Sequence, residues 1–256
     1  MTSETLYSIS GPKTLPEMTW EEAAAALKQT DICLIGVGAI GQAGAHLPLG
    51  AAAFSATETL RAAQRRLAEE GIRVVVGPTI AFGMNPGAMP YAGSLNFQPE
   101  TVKGILMDMG ESLYQQGFRK LAFFVGHADN MHVMGVSAQK LVMAHPDLTV
   151  LTLNPTPALL EAAGRADLAA RLLASHPNLV RLDRAHAPAE SAGPAQREIA
   201  GGSAPFCGGG VFNPAAELRQ REAADPRPAS AEAGRQSYAA LAGWVAEVIK
   251  RDFLGR

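Results

Sequence analysis

The sequence predicts an α/β fold, a three-layer α/β/α sandwich whose mostly parallel central sheet is covered by helices on both faces. Three observations predict it. Short apolar runs at residues 32–36, 72–76, 121–125 and 148–152 have the length and composition of buried strands. Longer stretches with apolar residues at helical spacing separate most of these runs. The chain is 256 residues long, 47% apolar and 18% charged, enough to bury a substantial core and too apolar for disorder.

The elements follow in order. Residues 1–18 have no apolar period and are expected along the surface. Thr19-Trp20-Glu21-Glu22 has the spacing of a capping box, predicting a helix over 20–28. Asp31-Ile32-Cys33-Leu34-Ile35 is the first strand, ending at Gly36. Residues 57–69 carry Leu60 and Leu67 among strong helix formers, with Gly71 as the expected C-cap. Ile72-Arg73-Val74-Val75-Val76 is the second strand, stopped by Gly77-Pro78. Pro99 suits the first position of a helix that places Val102, Ile105, Leu106, Met109 and Leu113 on one face and ends at Gly117. A third strand, a helix over 130–144 and a fourth strand follow. The register weakens between Pro155 and Pro228, where two short helical patterns precede a Pro- and Gly-rich region. A last helix spans 230–254 with Tyr238, Leu241, Val245, Val248 and Ile249. No internal repeat or linker stands out, so residues 1–256 read as a single domain.

Composition narrows function. Lys plus Arg number 22 against 24 Asp plus Glu, so no basic excess speaks for nucleic acid. Two cysteines, Cys33 and Cys207, make no disulfide framework. With no signal-peptide pattern and no run of 18 apolar residues, the chain reads as cytoplasmic, with no membrane partner.

Gly36-Val37-Gly38-Ala39-Ile40-Gly41 follows a predicted strand and fits the dinucleotide pattern G-x-G-x-x-G, which would make the protein an NAD(P)-dependent oxidoreductase. Pro48 breaks the helix that should follow, and the second strand ends in Gly77-Pro78 where the ribose needs an acid. The glycines of 201–210 lack the Gly-Lys-Ser/Thr of a phosphate loop and read as a close-packed or mobile turn. Cys207 is a nucleophile only if a histidine stands beside it.

Several segments, in order and across most of the chain, resemble the creatininase family of metal-dependent amidohydrolases. His46-Leu47-Pro48-Leu49-Gly50 is similar to that family's His-Leu-Pro-Leu-Gly, and Tyr91-Ala92-Gly93-Ser94-Leu95 to its Phe-Pro-Gly-Thr-Ile. Gly117-Phe118-Arg119-Lys120, a strand, and Gly126-His127-Ala128-Asp129-Asn130 resemble its Gly-Phe-Arg-Arg, strand, and Asn-Gly-His-Gly-Gly-Asn. Asp225-Pro226-Arg227 and Ala231-Glu232-Ala233-Gly234 resemble its closing motifs. The resemblance implies a small-molecule substrate, a homo-oligomer (a hexamer in the family) and two divalent metals held by a Glu, two His, a bridging Asp and a further acid.

The ligand positions do not carry over. The resemblance puts Gly41, Ala43 and Ala52 where the family has Glu, His and Asp, Gly87 and Ala88 where it has Glu-His, and His186-Ala187-Pro188-Ala189 where it has His-Ala-Gly-Glu. His127 remains, with Asp129 where some members carry an acidic ligand. Two ligands are too few for a dinuclear site, so the expectation is no metal centre, with at most one weakly held divalent ion at His127 and Asp129. Gly and Ala at the other positions predict a larger, more apolar pocket.

The reading that follows is a divergent creatininase-like hydrolase for a small, possibly cyclic amide or related carbonyl compound, with His127 and Asp129 as acid–base pair. A catalytically silent binding or assembly subunit is the alternative. His46, Met84, Asn85, Met89, Tyr91, Asn130 and His132 are the expected substrate-binding residues, on loops at the carboxyl ends of the strands. Asn130 and Asp129 also suit helix N-caps, and the methionines suit an apolar ligand.

Overall fold

The computed structural model describes residues 12–155, 168–186 and 226–255. Four strands form one sheet in the order β2-β1-β3-β4: β1 (Ile32–Val37), β2 (Val75–Val76), β3 (Lys120–Val125) and β4 (Thr149–Leu153). Every pairing is parallel, with Ile32 opposite Lys120, Cys33 opposite Val75 and Lys120 opposite Thr149. The helices are α1 (Trp20–Leu27), α2 (Ala51–Glu69), α3 (Pro99–Gln115), α4 (Met131–Ala144), α5 (Leu168–Ser175) and α6 (Ala231–Leu254).

The two-residue period of a strand sorts β1 between two cores. Ile32 and Leu34 face one layer with Leu60 and Leu67 of α2 and Val245 and Ile249 of α6. Cys33, Ile35 and Val37 face the other, with Val102 and Leu106 of α3 and Met134 and Leu141 of α4. The predicted three-layer arrangement is the observed one.

Boundaries differ in two places. The second predicted strand pairs only at Val75–Val76, although Ile72 and Val74 are buried in the first core. The helix expected from residue 57 already begins at Ala51, where Phe54 N–H bonds the Gly50 carbonyl at 3.1 Å. The capping box at α1 forms as predicted: Glu22 N–H donates to Thr19 Oγ1 at 3.2 Å, and Thr19 N–H donates to the Glu22 carboxylate at 2.8 Å. Gly71 follows the Glu70 cap of α2 in the left-handed region, φ +75°, and Gly117 closes α3 at φ +107°. In the weakly patterned region α5 is followed by 3₁₀ turns at Pro177–Leu179 and Leu182–Arg184. Cys207 and residues 201–210 lie outside the described residues.

Candidate active site at the carboxyl ends of β1 and β3

The parallel ladder runs on past the strands. Gly38 N–H donates to Ile80 O at 2.8 Å and Gly126 N–H to Val37 O at 2.9 Å, so the exits of β1 and β3 stay side by side. His127 continues from Gly126 in extended backbone, and a 3₁₀ turn, Ala128–Asn130, leads into α4. This tight turn places Asp129 Oδ2 3.2 Å from His127 Nε2. The two side chains are only 10% and 5% exposed, so their interaction is little screened.

Asn130 fixes the surrounding loops. It is fully buried, its amide donating to Gly38 O at 2.9 Å and its carbonyl oxygen accepting from Met84 N–H at 2.9 Å. Asn85, 1% exposed, donates its backbone N–H to Asn96 Oδ1 at 2.9 Å and its side-chain amide to Ile40 O at 3.3 Å. Ser94 Oγ accepts from Gln42 N–H at 3.4 Å, and Gly41 N–H donates to Leu49 O at 2.9 Å. His46 is buried against Gly44, and its carbonyl accepts Arg181 N–H at 2.9 Å. Met84 packs partly buried on the second core, Met89 is 51% exposed, Tyr91 is half-buried, and His132 is exposed in the first turn of α4.

The structure therefore brings His127, Asp129, Asn130, Met84 and Asn85 into one loop cluster. Asn85 and Asn130 sit in it as buried ties between backbones, not as surface open to a substrate. Sequence reading passed over Asn96 and gave Ser94 no role beyond its place in the Tyr91–Leu95 motif; their bonds reach across 11 and 52 residues. Their residue types suit loops and carry no further signal.

Residues 16–249 match the family model for creatininase, creatinine amidohydrolase. The chain belongs to the creatininase family. Solved structures agree in fold. A mutant creatininase complexed with creatine is 20% identical with a TM-score of 0.73, covering 94% of this chain and 99% of that one. A manganese creatininase is 21% identical with a TM-score of 0.72 and the same coverage. A putative creatinine amidohydrolase from Bacteroides fragilis NCTC 9343 is 22% identical with a TM-score of 0.66, over 87% of this chain and 89% of that one. Among curated proteins, none is similar enough to this chain to count as a match.

The creatininase metal pair does not fit the described residues. A Cβ built on Gly41 would lie 3.0 Å from Ala88 Cβ, so these two residues, which the resemblance puts at ligand positions, face each other, and neither carries a donor. The same Cβ would overlap the Asn85 amide. The larger, more apolar pocket expected there is thus corrected: Asn85, buried and polar, takes the room that Gly41 gives up. Among the described residues, no three His, Cys, Asp or Glu side chains gather so as to hold a metal ion.

The glycine pattern at 36–41 serves packing. A Cβ on Gly38 would meet Ala53 of α2 at 2.8 Å, and α2 begins only at Ala51. The α2 N-terminus packs on this loop, but α2 starts ten residues after Gly41 and Gly41 N–H is spent on the Leu49 carbonyl at 2.9 Å, so the helix does not run on directly from the glycines as a dinucleotide site requires. Among the described residues, no helix is long and apolar enough to cross a membrane.

Proposed function

We propose that this creatininase-family chain, one domain acting as a homo-oligomer, is a hydrolase for a small amide or related carbonyl compound that works through His127 and Asp129 without the family's metal pair. The single supporting observation is the dyad itself: imidazole and carboxylate 3.2 Å apart, nearly buried, at the carboxyl end of β3. With Nε2 engaged by Asp129, proton transfer falls to Nδ1. The imidazole takes a proton from water as the water oxygen bonds to the carbonyl carbon. It returns that proton to the leaving nitrogen as the C–N bond breaks. Asp129 orients the ring and stabilises the transient imidazolium.

A second reading, a catalytically silent binding subunit, is favoured by the burial of Asn85 and Asn130 where ligand groups would otherwise stand. Turnover of small cyclic amides by chelator-treated protein separates the two. His127→Ala is expected to lower that turnover about a hundredfold to ten-thousandfold. Its stability should stay within about 1–2 kcal/mol of the parent. Turnover that requires two bound divalent ions overturns the metal-free reading, and retained turnover in His127→Ala removes the dyad.

A further inference from the structure

On the face formed by α2, α5 and α6, away from the strand ends, lies a groove of about 850 Å³. That is within the usual size of small-ligand sites. Alanines of all three helices line it, and Gly243 opens it further, since a Cβ there would meet nothing within 4 Å.

Polar groups line the groove as well. Tyr238 is only 8% exposed, with its hydroxyl 3.0 Å from Ser175 Oγ. Glu58, its side chain 18% exposed, lies 3.5 Å from Arg61. Burial pushes the Glu58 carboxyl up against the pull of Arg61 and Arg65, and it pushes the Tyr238 phenol up too. Perturbed groups converging on a cavity mark candidate sites.

The remaining charges are unevenly committed. Arg66 pairs with Glu70 at 3.3 Å and Arg235 with Glu232 at 2.5 Å, both acids standing outside the groove. Arg65 and Glu69, exposed one turn apart on α2, make no ion pair or hydrogen bond among the described residues. The groove thus offers one charge of each sign outside any ion pair, Arg65 acting on Glu58 only from beyond contact distance, beside the Ser175–Tyr238 hydroxyl pair. A purely anionic ligand meets Glu58 and Glu69, and a purely cationic one meets three arginines. A ligand carrying both charges close together satisfies each side.

We propose that this groove binds a small zwitterion of the α-amino acid class, its carboxylate on Arg65 and its ammonium on Glu69 one turn further along α2, with its side chain in the space beside the alanines and Gly243. The site is independent of the His127–Asp129 dyad.

Isothermal titration calorimetry of the full chain with L-serine, L-leucine and L-phenylalanine tests this, with acetate and methylammonium as single-charge controls. Saturable binding of at least one amino acid is expected, with the controls at least about tenfold weaker. Two variants should each weaken it by at least about tenfold: Arg65→Ala, an exposed change, and Gly243→Leu, which fills the groove from open space. Far-UV circular dichroism checks that both variants fold. Absence of saturation for every amino acid, acetate binding as tight as theirs, or amino-acid binding that persists in both folded variants overturns the proposal.

Discussion

At position 41 the lost side chain is replaced in space, not left as a hole. Gly41 and Ala88 are readable in the sequence as donor-free residues where the resemblance puts metal ligands, and a Cβ on Gly41 would lie 3.0 Å from Ala88 Cβ. Asn85 is not readable in that role, because it lies 45 residues from the Ile40 carbonyl it bonds and nothing local announces the contact. Restoring the family's acid should therefore fail by itself. Gly41→Glu is expected to destabilise the chain by about 1–3 kcal/mol, because the new side chain must displace a buried amide. Adding Asn85→Ala should recover part of that loss, with a coupling of about 0.5–3 kcal/mol in a double-mutant cycle by urea denaturation. Strictly additive losses would mean that the two side chains do not compete for one space. His127 and Asp129 were legible for a different reason: both sit within one turn whose spacing is local.

Among the elements, the long amphipathic helices were legible because 3.6-residue spacing reports a face directly. The start of α2 was not. Ala51, Ala52 and Ala53 are strong helix formers but too small to mark an apolar stripe, so the pattern emerged only near Leu60. Likewise Ile72 and Val74 announced burial, which they have, but an apolar run cannot say whether its backbone pairs in the sheet. The glycines of α6 test how packing overrides propensity. A Cβ on Gly234 would run into the Ala170 carbonyl of α5, whereas one on Gly243 would meet nothing within 4 Å. Gly243→Ala should stabilise the protein by about 0.5–1 kcal/mol through helix propensity alone. Gly234→Ala should instead cost about 1–3 kcal/mol, since α5 must shift to admit the methyl. Urea midpoints that move in the same direction for both would refute the close approach of α5 and α6.

For the whole molecule, the layers were legible from the alternation of strands and helices, but the order β2-β1-β3-β4 was not, because parallel neighbours are set by long-range pairing. The same central sheet shapes the response to pH. At its amino-terminal edge, His145 hydrogen-bonds Glu111 at 2.5 Å and Tyr114 hydrogen-bonds Asp147 at 2.8 Å, holding both carboxyls below their ordinary range. Their contribution is present above the ordinary carboxylate range and fades as pH falls through the lowered values; being exposed, they make a shallow acid limb. The alkaline limb comes from inside the sheet. Cys33, fully buried on β1, has its thiol pushed up to about 12 from 9.0 by desolvation. Above about pH 9 the unfolded chain releases this proton while the folded chain keeps it, so stability falls as pH rises, by at most about 1.4 kcal/mol per pH unit for one group. Burial of the Tyr238 phenol acts in the same direction at higher pH. Cys33→Ala should lower stability near pH 7, through lost packing, yet fall less steeply than the parent between about pH 9 and about pH 11. Urea midpoints measured across that range decide it: parallel curves would show that the thiolate of the unfolded chain does not drive the alkaline loss, whereas converging curves assign it to the proton that the sheet core withholds from solvent.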